Sequence, residues 1–272
     1  MKHSFYSVLS DAVNEFRAQG FKSDAQLEEW VKKIRQAAAD SLVPEKVMEQ
    51  TLRDTFGSVY ERLIERAEIL RSMPGVSRYT LAKVKPKLRA ELDRRMMASR
   101  NLIKLNRAAM IEKTTQRFSG WATSIPAGGS CAVDVKDTKD DIRKALSSMP
   151  FVERRVHIDQ AMKFTSALNE IVAVDGGAIA AMWHSQWRRR GYDYREDHKE
   201  RDGKVYAVRG NWAIEKGFMK AGPNGYTDQI TKPGEEVFCS CSYTFIFSLP
   251  KLLKVAPDML TEKGRAAASA IA

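Results

Sequence analysis

Cysteine, histidine and long apolar runs are all scarce in this chain of 272 residues. Two of its three cysteines, Cys239 and Cys241, are separated by a single residue, which is too close for an easy mutual disulfide. The sequence therefore excludes a small secreted fold held together by disulfides, and it favours a reducing compartment such as the cytoplasm.

Signals for secretion and for membrane insertion are also lacking. Residues 1–19 mix charged side chains into an amphipathic pattern without the continuous apolar core of a signal peptide. The longest apolar stretch, residues 171–183, is interrupted by Asp175 and two glycines. It falls short of the roughly eighteen apolar residues that a membrane span needs, so we expect no membrane span.

Acidic residues are too few to balance the basic ones. The chain has 45 lysines and arginines against 34 aspartates and glutamates, which gives a formal net charge of +11. Between residues 76 and 120 there are twelve basic and three acidic side chains, so most of the excess lies on one span. Clustered charge of this kind favours duplex DNA or an acidic protein surface as a partner, and the alternative is a solvated helix face.

The basic residues that we predict to contact DNA or a protein partner fall into two groups. One is the consecutive run beside Trp187, and the other lies in the basic span. That span carries no base-reading motif, so contact with DNA would be made through the phosphate backbone and would weaken with salt. The candidates are Arg188, Arg189 and Arg190 in the run, and Arg94, Arg95, Arg100 and Lys104 in the span.

Helical periodicity predicts that residues 1–120 are all α, as a bundle or as extended helices. Apolar residues recur at helical spacing near the N-terminus, and Gly20 supplies the stop of a first helix. Ser23 is placed to cap a second helix, and Pro44 suits the first turn of a third. A longer helical pattern follows in the basic span, with Pro86 as its entry or kink.

The second half of the chain has a different pattern. Residues 121–150 are expected to be a linker with short strands, because they contain Pro126 and two adjacent glycines. A compact domain is predicted over residues 151–250, and a fraying tail over residues 251–272. The fold class is α+β, with a mainly helical N-terminal region followed by a small α+β domain that has a short antiparallel sheet. The β-prone runs are residues 205–208, 236–239 and 243–247.

Two of the four histidines and two of the three cysteines fall between Trp183 and the second cysteine of the close pair. Two imidazoles and two thiolates form the ligand set of a tetrahedral zinc site, provided that the fold brings them together. The alternative is that the cysteines alternate on a buried strand and the histidines bond to carbonyl groups. The candidate metal ligands are His184, His198, Cys239 and Cys241, and a structural zinc ion is the cofactor that they predict.

The segment from Arg195 to His198, followed by an Asp-Gly turn, also fits the edge of a histidine-metal nuclease. In such a site a histidine activates water, and a carboxylate or second histidine holds a divalent ion. The enzyme needs a further histidine or asparagine downstream, but no histidine follows His198, and Asn211 and Asn224 are the asparagines that remain. We therefore predict a protein that is not an enzyme, with a metal-dependent nuclease as the alternative.

Five short motifs follow one another in this half of the chain. They are Trp183-His184-Ser185, Arg195-Glu196-Asp197-His198, Asp202-Gly203-Lys204-Val205, Pro233-Gly234-Glu235 and Cys239-Ser240-Cys241. In this order they resemble the C-terminal domain of the phage Mu F-like minor head proteins, also called phage head morphogenesis proteins. The resemblance covers about residues 150–250. In that family a helix ends in the tryptophan, and an arginine usually stands where this chain has Ser240.

The resemblance implies a virion structural protein of a tailed phage that takes part in head assembly and carries no established enzymatic activity. Its partners would be the portal protein and the major capsid or scaffold protein. It would lie in the head or at the head-tail junction of the virion, and in the host cytoplasm during assembly. Some members are delivered with the genome. A further alternative is a non-specific DNA-binding ejection protein that acts through the basic span alone.

Overall fold

The structure, a computed structural model, describes residues 4–271. It confirms the α+β fold class, with long helices in the N-terminal region and a three-stranded antiparallel sheet in the C-terminal part. The α-helices are α1 (Phe5–Gln19), α2 (Asp24–Ser41), α3 (Glu45–Tyr60), α4 (Arg78–Ser124), α5 (Val135–Ser147), α6 (Met149–Asp175), α7 (Glu196–Glu200), α8 (Trp212–Glu215), α9 (Leu249–Val255) and α10 (Glu262–Ile271). The strands are β1 (Ala180–His184), β2 (Val205–Ala207) and β3 (Ser242–Ile246).

Shorter helical turns link these elements. A π-helical turn, Glu61–Glu65, follows α3, and 3-10 turns occupy Glu68–Ser72, Thr227–Gln229 and Pro257–Met259. Among the described residues, no helix combines the length and the apolar character that crossing a bilayer requires.

The predicted signals at the first helices are confirmed. Gly20 adopts φ +75° after α1 and donates its N–H to the carbonyl of Phe16, which ends the helix. The Ser23 hydroxyl accepts a hydrogen bond from the N–H of Gln26 and begins α2. Pro86 is not the entry of the long helix, because α4 begins at Arg78 and continues through Pro86 across the basic span.

The chain forms two compact units, each built from two segments. The first comprises the described residues up to Arg53 together with Met97–His157, and the second comprises Asp54–Met96 together with the described residues from Ile158 onward. Helices α3, α4 and α6 therefore contribute residues to both units. The units do not correspond to the predicted division at residues 121–150.

Residues 121–150 also differ from the predicted linker with short strands. Helix α4 continues through Ser124, and α5 occupies most of the remainder. Helix α5 forms because the carboxylate of Asp134 accepts the N–H groups of Lys136 and Asp137, and because Ile142 is buried. The glycine-rich turn is therefore confined to the short connection between the two helices.

The core of the first unit lies where α1, α2, α4 and α5 bury apolar side chains together. Phe118 of α4 is fully buried, and its ring packs edge to face on Phe16 with 5.6 Å between centroids. The buried members of this core are Leu9, Ala12, Val13, Phe16, Ile34, Phe118, Ala122 and Ile142.

The sheet of the second unit has the order β2-β1-β3, with both neighbours antiparallel to the central strand. Because side chains alternate along a strand, the sheet has two different faces. Ala180 and Met182 of β1 pack into a core with residues of α8, α9 and α10. Trp183 lies on the opposite face with Tyr206 and Tyr243.

Two expectations for this sheet are wrong. The run 236–239 is a turn rather than a strand, because Phe238 adopts φ +59° and its N–H donates to the Asp159 carboxylate. The resemblance implied a helix that ends in Trp183, but that residue lies in the central strand β1. Helix α6 ends earlier, at Asp175, and Gly176 and Gly177 separate it from the strand.

Residues 251–271 also differ from the predicted tail. Leu252, Met259, Leu260 and Ala268 are buried in the core that covers the first face of the sheet. Helix α10 packs so closely that a Cβ atom at Gly264 would lie 1.9 Å from the carbonyl oxygen of Phe218. The C-terminal helices are therefore an integral part of the second unit.

This packing predicts the effect of Gly264→Ala. The new methyl group would meet backbone, so we expect a loss of about 1–3 kcal/mol in the free energy of unfolding, measured by urea denaturation. The matched control is Gly57→Ala in α3, where a Cβ atom would meet nothing within 4 Å. There we expect a gain of about 0.5–1 kcal/mol, because alanine restricts the unfolded chain. Equal effects of the two substitutions would contradict the packing of α10.

Candidate metal centre

His198, Cys239 and Cys241 come together on the second face of the sheet and form a group that can hold a metal ion. The Nδ1 atom of His198 lies 3.6 Å from the sulfur of each cysteine. The three ligand atoms lie within 4.8 Å of one another, and all three side chains are buried. Three of the four predicted ligands therefore converge.

The distances from the imidazole nitrogen to the two sulfurs match a tetrahedral metal ion. Zinc binds cysteine sulfur at about 2.3 Å and histidine nitrogen at about 2.0–2.1 Å, so a tetrahedral angle separates the nitrogen from a sulfur by about 3.6 Å. The observed nitrogen–sulfur distances are both 3.6 Å. An ion bound to the nitrogen and to either sulfur would thus have normal bond lengths.

His184 is not a member of this group, contrary to the prediction. It follows Trp183 in β1, and consecutive side chains of a strand point to opposite faces. Because Trp183 packs on the side of the cysteines, His184 points to the other side. Its Nε2 atom shares a hydrogen bond of 2.8 Å with the Thr244 hydroxyl of β3.

Both cysteines lie in the turn before β3, so the alternative in which they alternate on a buried strand is also wrong. The turn closes when the N–H of Cys239 donates to the carbonyl of Glu236 at 3.2 Å. Asp159 of α6 fixes it from the side, because its carboxylate accepts the N–H of Phe238 at 2.6 Å. Asp159 is itself buried and forms an ion pair with Lys163 at 3.3 Å.

The same face of α6 holds the segment that leads into the turn. The Ser166 hydroxyl donates to the carbonyl of Pro233 at 2.5 Å, and Glu170 pairs with Lys232 at 2.5 Å. These supporting residues were not predicted. A signal for them exists, because residues 159, 163, 166 and 170 recur at the spacing of one helical face and are all polar.

Two arginines fasten α7, which carries His198, to the segment before the cysteines. Arg195 pairs with Glu236 at 2.5 Å and donates to the carbonyl of Val237 at 3.1 Å. Arg201 bonds to the carbonyl and the hydroxyl of Thr231, and its guanidinium stacks over the Trp183 ring at 5.1 Å. A helix of five residues is unstable alone, so these contacts are what keep it in place.

Trp183 forms the floor of the site. It is completely buried, and its ring packs edge to face on His198 at 5.1 Å and on Tyr243 at 5.5 Å. The indole N–H, the His198 Nε2 atom and the Tyr243 hydroxyl are buried without a hydrogen-bond partner among the described residues. The nearest carboxylate to the His198 Nε2 atom belongs to Glu236, at 3.6 Å. Polar atoms of this kind are unusual in a core and are typical of ligand sites.

The electrostatics of the two thiols favour a thiolate. A hydrogen bond from Cys241 lowers the pKa of Cys239 to about 5, and the N–H groups of Gly234 and Cys241 act in the same direction against the effect of burial. The pKa of Cys241 is raised, first because its thiol proton is held by Cys239 and second because it is buried. A cation bound beside the pair would stabilise the thiolate form of Cys239 further.

The structure separates the two groups of basic residues. In the basic span, Arg94 and Arg95 both pair with Glu91, at 2.6 and 3.1 Å. Arg100 pairs with Glu49 at 3.1 Å, and Lys104 pairs with Glu45. By contrast, Arg188, Arg189 and Arg190 are exposed and pair with no carboxylate of the described residues.

Asp202 fixes the turn that bears these three arginines. Its carboxylate accepts the N–H of Ser185 at 2.8 Å and the indole N–H of Trp187 at 3.1 Å. The first of these bonds is the main reason why the pKa of Asp202 is lowered. The Asp-Gly step read from the sequence as a simple turn is therefore also an anchor for the preceding loop.

We expect Asp202→Asn to destabilise the protein by about 1–3 kcal/mol at neutral pH, because two donors lose a charged acceptor. A carboxyl group with a lowered pKa stabilises the fold above its ordinary value of about 4 and loses this effect as the pH falls below it. The difference between wild type and variant in urea unfolding should therefore shrink under acid conditions. Asp258→Asn, at an exposed position, is the control. A difference that stays constant down to low pH would contradict this role.

No family model matches the chain, and no curated protein and no solved structure is significantly similar to it. The resemblance to the Mu F-like minor head proteins therefore rests on the five motifs and on their order.

Proposed function

We propose that this protein is a minor head protein of a tailed phage, which binds the portal and the capsid interior during head assembly. The observation that carries the proposal is the convergence of the five motifs that resemble the Mu F-like domain. Trp183 contacts His198, the N–H of Gly203 donates to the Trp183 carbonyl, and Cys241 packs against the same ring. Pro233 and Gly234 of the fourth motif lie in the turn that leads into Cys239. Motifs that are separated in sequence thus build one site.

The surroundings of His198 support a role in binding rather than in catalysis. Its side chain is 1% exposed, and its Nδ1 atom faces two sulfurs instead of a space for water. The two asparagines that a nuclease would need for catalysis form hydrogen bonds with backbone groups instead. Asn211 caps α8 and bonds to the carbonyls of Ile179 and Val208, and Asn224 bonds to that of Val205.

The metal that best suits the triad is zinc in a structural role. Two thiolates and an imidazole are ligands that favour zinc over magnesium, calcium or manganese. Such an ion would join α7 to the turn before β3, which are 41 residues apart at His198 and Cys239. Its binding free energy would therefore contribute directly to the folding of this domain.

We expect protein purified without chelator to contain one zinc ion per chain by elemental analysis. Cys239→Ser should lose most of this zinc and lower the melting temperature, because a hydroxyl is a poor ligand in this position. Cys131→Ser is the matched control, since that cysteine is exposed and outside the group. Full zinc content in Cys239→Ser, or no zinc in the wild-type protein, would contradict the assignment.

The assembly role predicts a specific complex with the portal ring encoded by the same phage. Wild-type protein should co-purify with isolated portal rings, and virions made without it should have defective heads or reduced infectivity. A plasmid incubated with the protein and magnesium, manganese or zinc should stay intact. Failure to bind portal rings or capsid shells would contradict the proposal, and cation-dependent nicking that His198→Ala abolishes would replace it with the nuclease.

A further inference from the structure

We propose that the turn formed by residues 186–191 binds the phosphate backbone of nucleic acid, and that the metal centre holds this turn in its binding conformation. The first half of this inference depends on the charges and contacts of the turn alone. The second half rests on the proposed metal site.

The arginines of the turn are available for an external anion. Arg188, Arg189 and Arg190 are exposed, and among residues 4–271 no carboxylate lies within ion-pair distance of them, since Asp202 attracts Arg188 only at longer range. A guanidinium group in an ion pair must first release its carboxylate before it can bind a phosphate, whereas these three groups need not. Three consecutive free guanidinium groups also match the repeated charges of a nucleic acid strand.

The candidate residues in the basic span of α4 are less available for an external anion. Its predicted contact residues all have a glutamate partner, and Glu91 alone serves both Arg94 and Arg95. The side chains of Arg95 and Glu91 are only 15% and 10% exposed, which strengthens the pair relative to one in open solvent. The positive charge of the basic span is therefore partly neutralised by glutamates. The three arginines of the turn are the better contact surface for a phosphate backbone.

The aromatic neighbours of the turn favour nucleic acid over an acidic protein. The guanidinium of Arg188 lies over the ring of Trp187, 4.8 Å from its centroid. The ring of Tyr194 lies beside Trp187 at 6.5 Å, and the ammonium group of Lys199 lies 5.4 Å from the Tyr194 ring. Planar arginine and aromatic groups next to unpaired charges are typical of surfaces that bind a phosphate backbone and stack on bases.

The metal-binding segment fixes the second end of the turn, and Asp202 fixes the first. At the first end, the Asp202 carboxylate accepts the N–H of Ser185 at 2.8 Å. At the second end, the Tyr192 hydroxyl accepts the N–H of Ser240 at 2.9 Å and donates to the carbonyl of Phe238 at 3.3 Å. Inside the turn, the N–H of Arg189 donates to the carbonyl of Gln186 at 2.9 Å. Movement of the Cys239–Cys241 segment would therefore move the arginines.

The surface is tested with fluorescently labelled duplex and single-stranded DNA, the full-length protein and fluorescence anisotropy. Near 100 mM salt, R188A/R189A/R190A should weaken binding roughly tenfold or more and lower the salt slope by about 3. The matched control R94A/R95A/R100A should change affinity about twofold or less, because those residues are paired.

Equal losses in both variants, or a larger loss in the control, would overturn the inference. Competition by polyglutamate as strong as by unlabelled DNA would assign the surface to an acidic protein instead.

The link to the metal is tested on the same samples, with zinc content measured beside affinity. Removal of zinc by a chelator should weaken DNA binding roughly tenfold, and its return should restore binding. Unchanged affinity after measured loss of zinc would overturn the link. Wild-type protein that contains no zinc but binds DNA through the three arginines would refute the proposed metal and leave the contact surface supported. The two failures are therefore distinguishable.

Discussion

One imidazole nitrogen placed 3.6 Å from two sulfurs is the contact on which the C-terminal domain most depends. The segments that meet there have little regular structure of their own. Helix α7 is five residues long, and much of the chain between β2 and β3 is turns. Short elements of this kind cannot offset their conformational entropy by themselves. A metal ion bound by the triad would supply the missing free energy at the point where these segments converge.

The sheet explains why the site can form where it does. Its first face is covered by the C-terminal helices, which make an ordinary apolar core with Ala180 and Ile246. Its second face carries Trp183, whose ring supports His198 and packs with both cysteines. Because β1 is buried on both faces, the side chains on one face pack in the apolar core and those on the other face support the candidate metal ligands.

Charge in this protein shows why composition alone is a poor guide to a contact surface. The span of α4 dominates the net charge, yet its candidate residues are held by glutamates of α3 and of α4 itself. The partners in α3 are more than fifty residues away, as Glu49 is from Arg100, so no local pattern reveals them. The run Arg188–Arg190 contributes less charge, but it lies on a turn held by Asp202, and none of its three guanidinium groups forms an ion pair with a carboxylate of residues 4–271.

The sequence predicted the parts of this structure that depend on local rules. The stop at Gly20 and the cap at Ser23 were readable because each needs only a few neighbouring residues. The meeting of His198 with Cys239 and Cys241 was predicted from ligand chemistry. The sequence did not predict that residues 180–184 form the central strand β1. The alanines of this segment are compatible with a helix, and its strand pairing is set by distant partners. The prediction that His184 is a metal ligand was wrong for the same reason, because only the register of β1 decides which face of the sheet this residue occupies.

X-ray absorption at the zinc edge of the intact protein would show whether one ion joins His198 to both cysteines. We expect a first coordination shell with two sulfur atoms at about 2.3 Å and an imidazole nitrogen at about 2.0–2.1 Å, together with the outer-shell scattering of one histidine ring. A first shell made only of oxygen and nitrogen, or one with two histidine rings and a single sulfur, would contradict it.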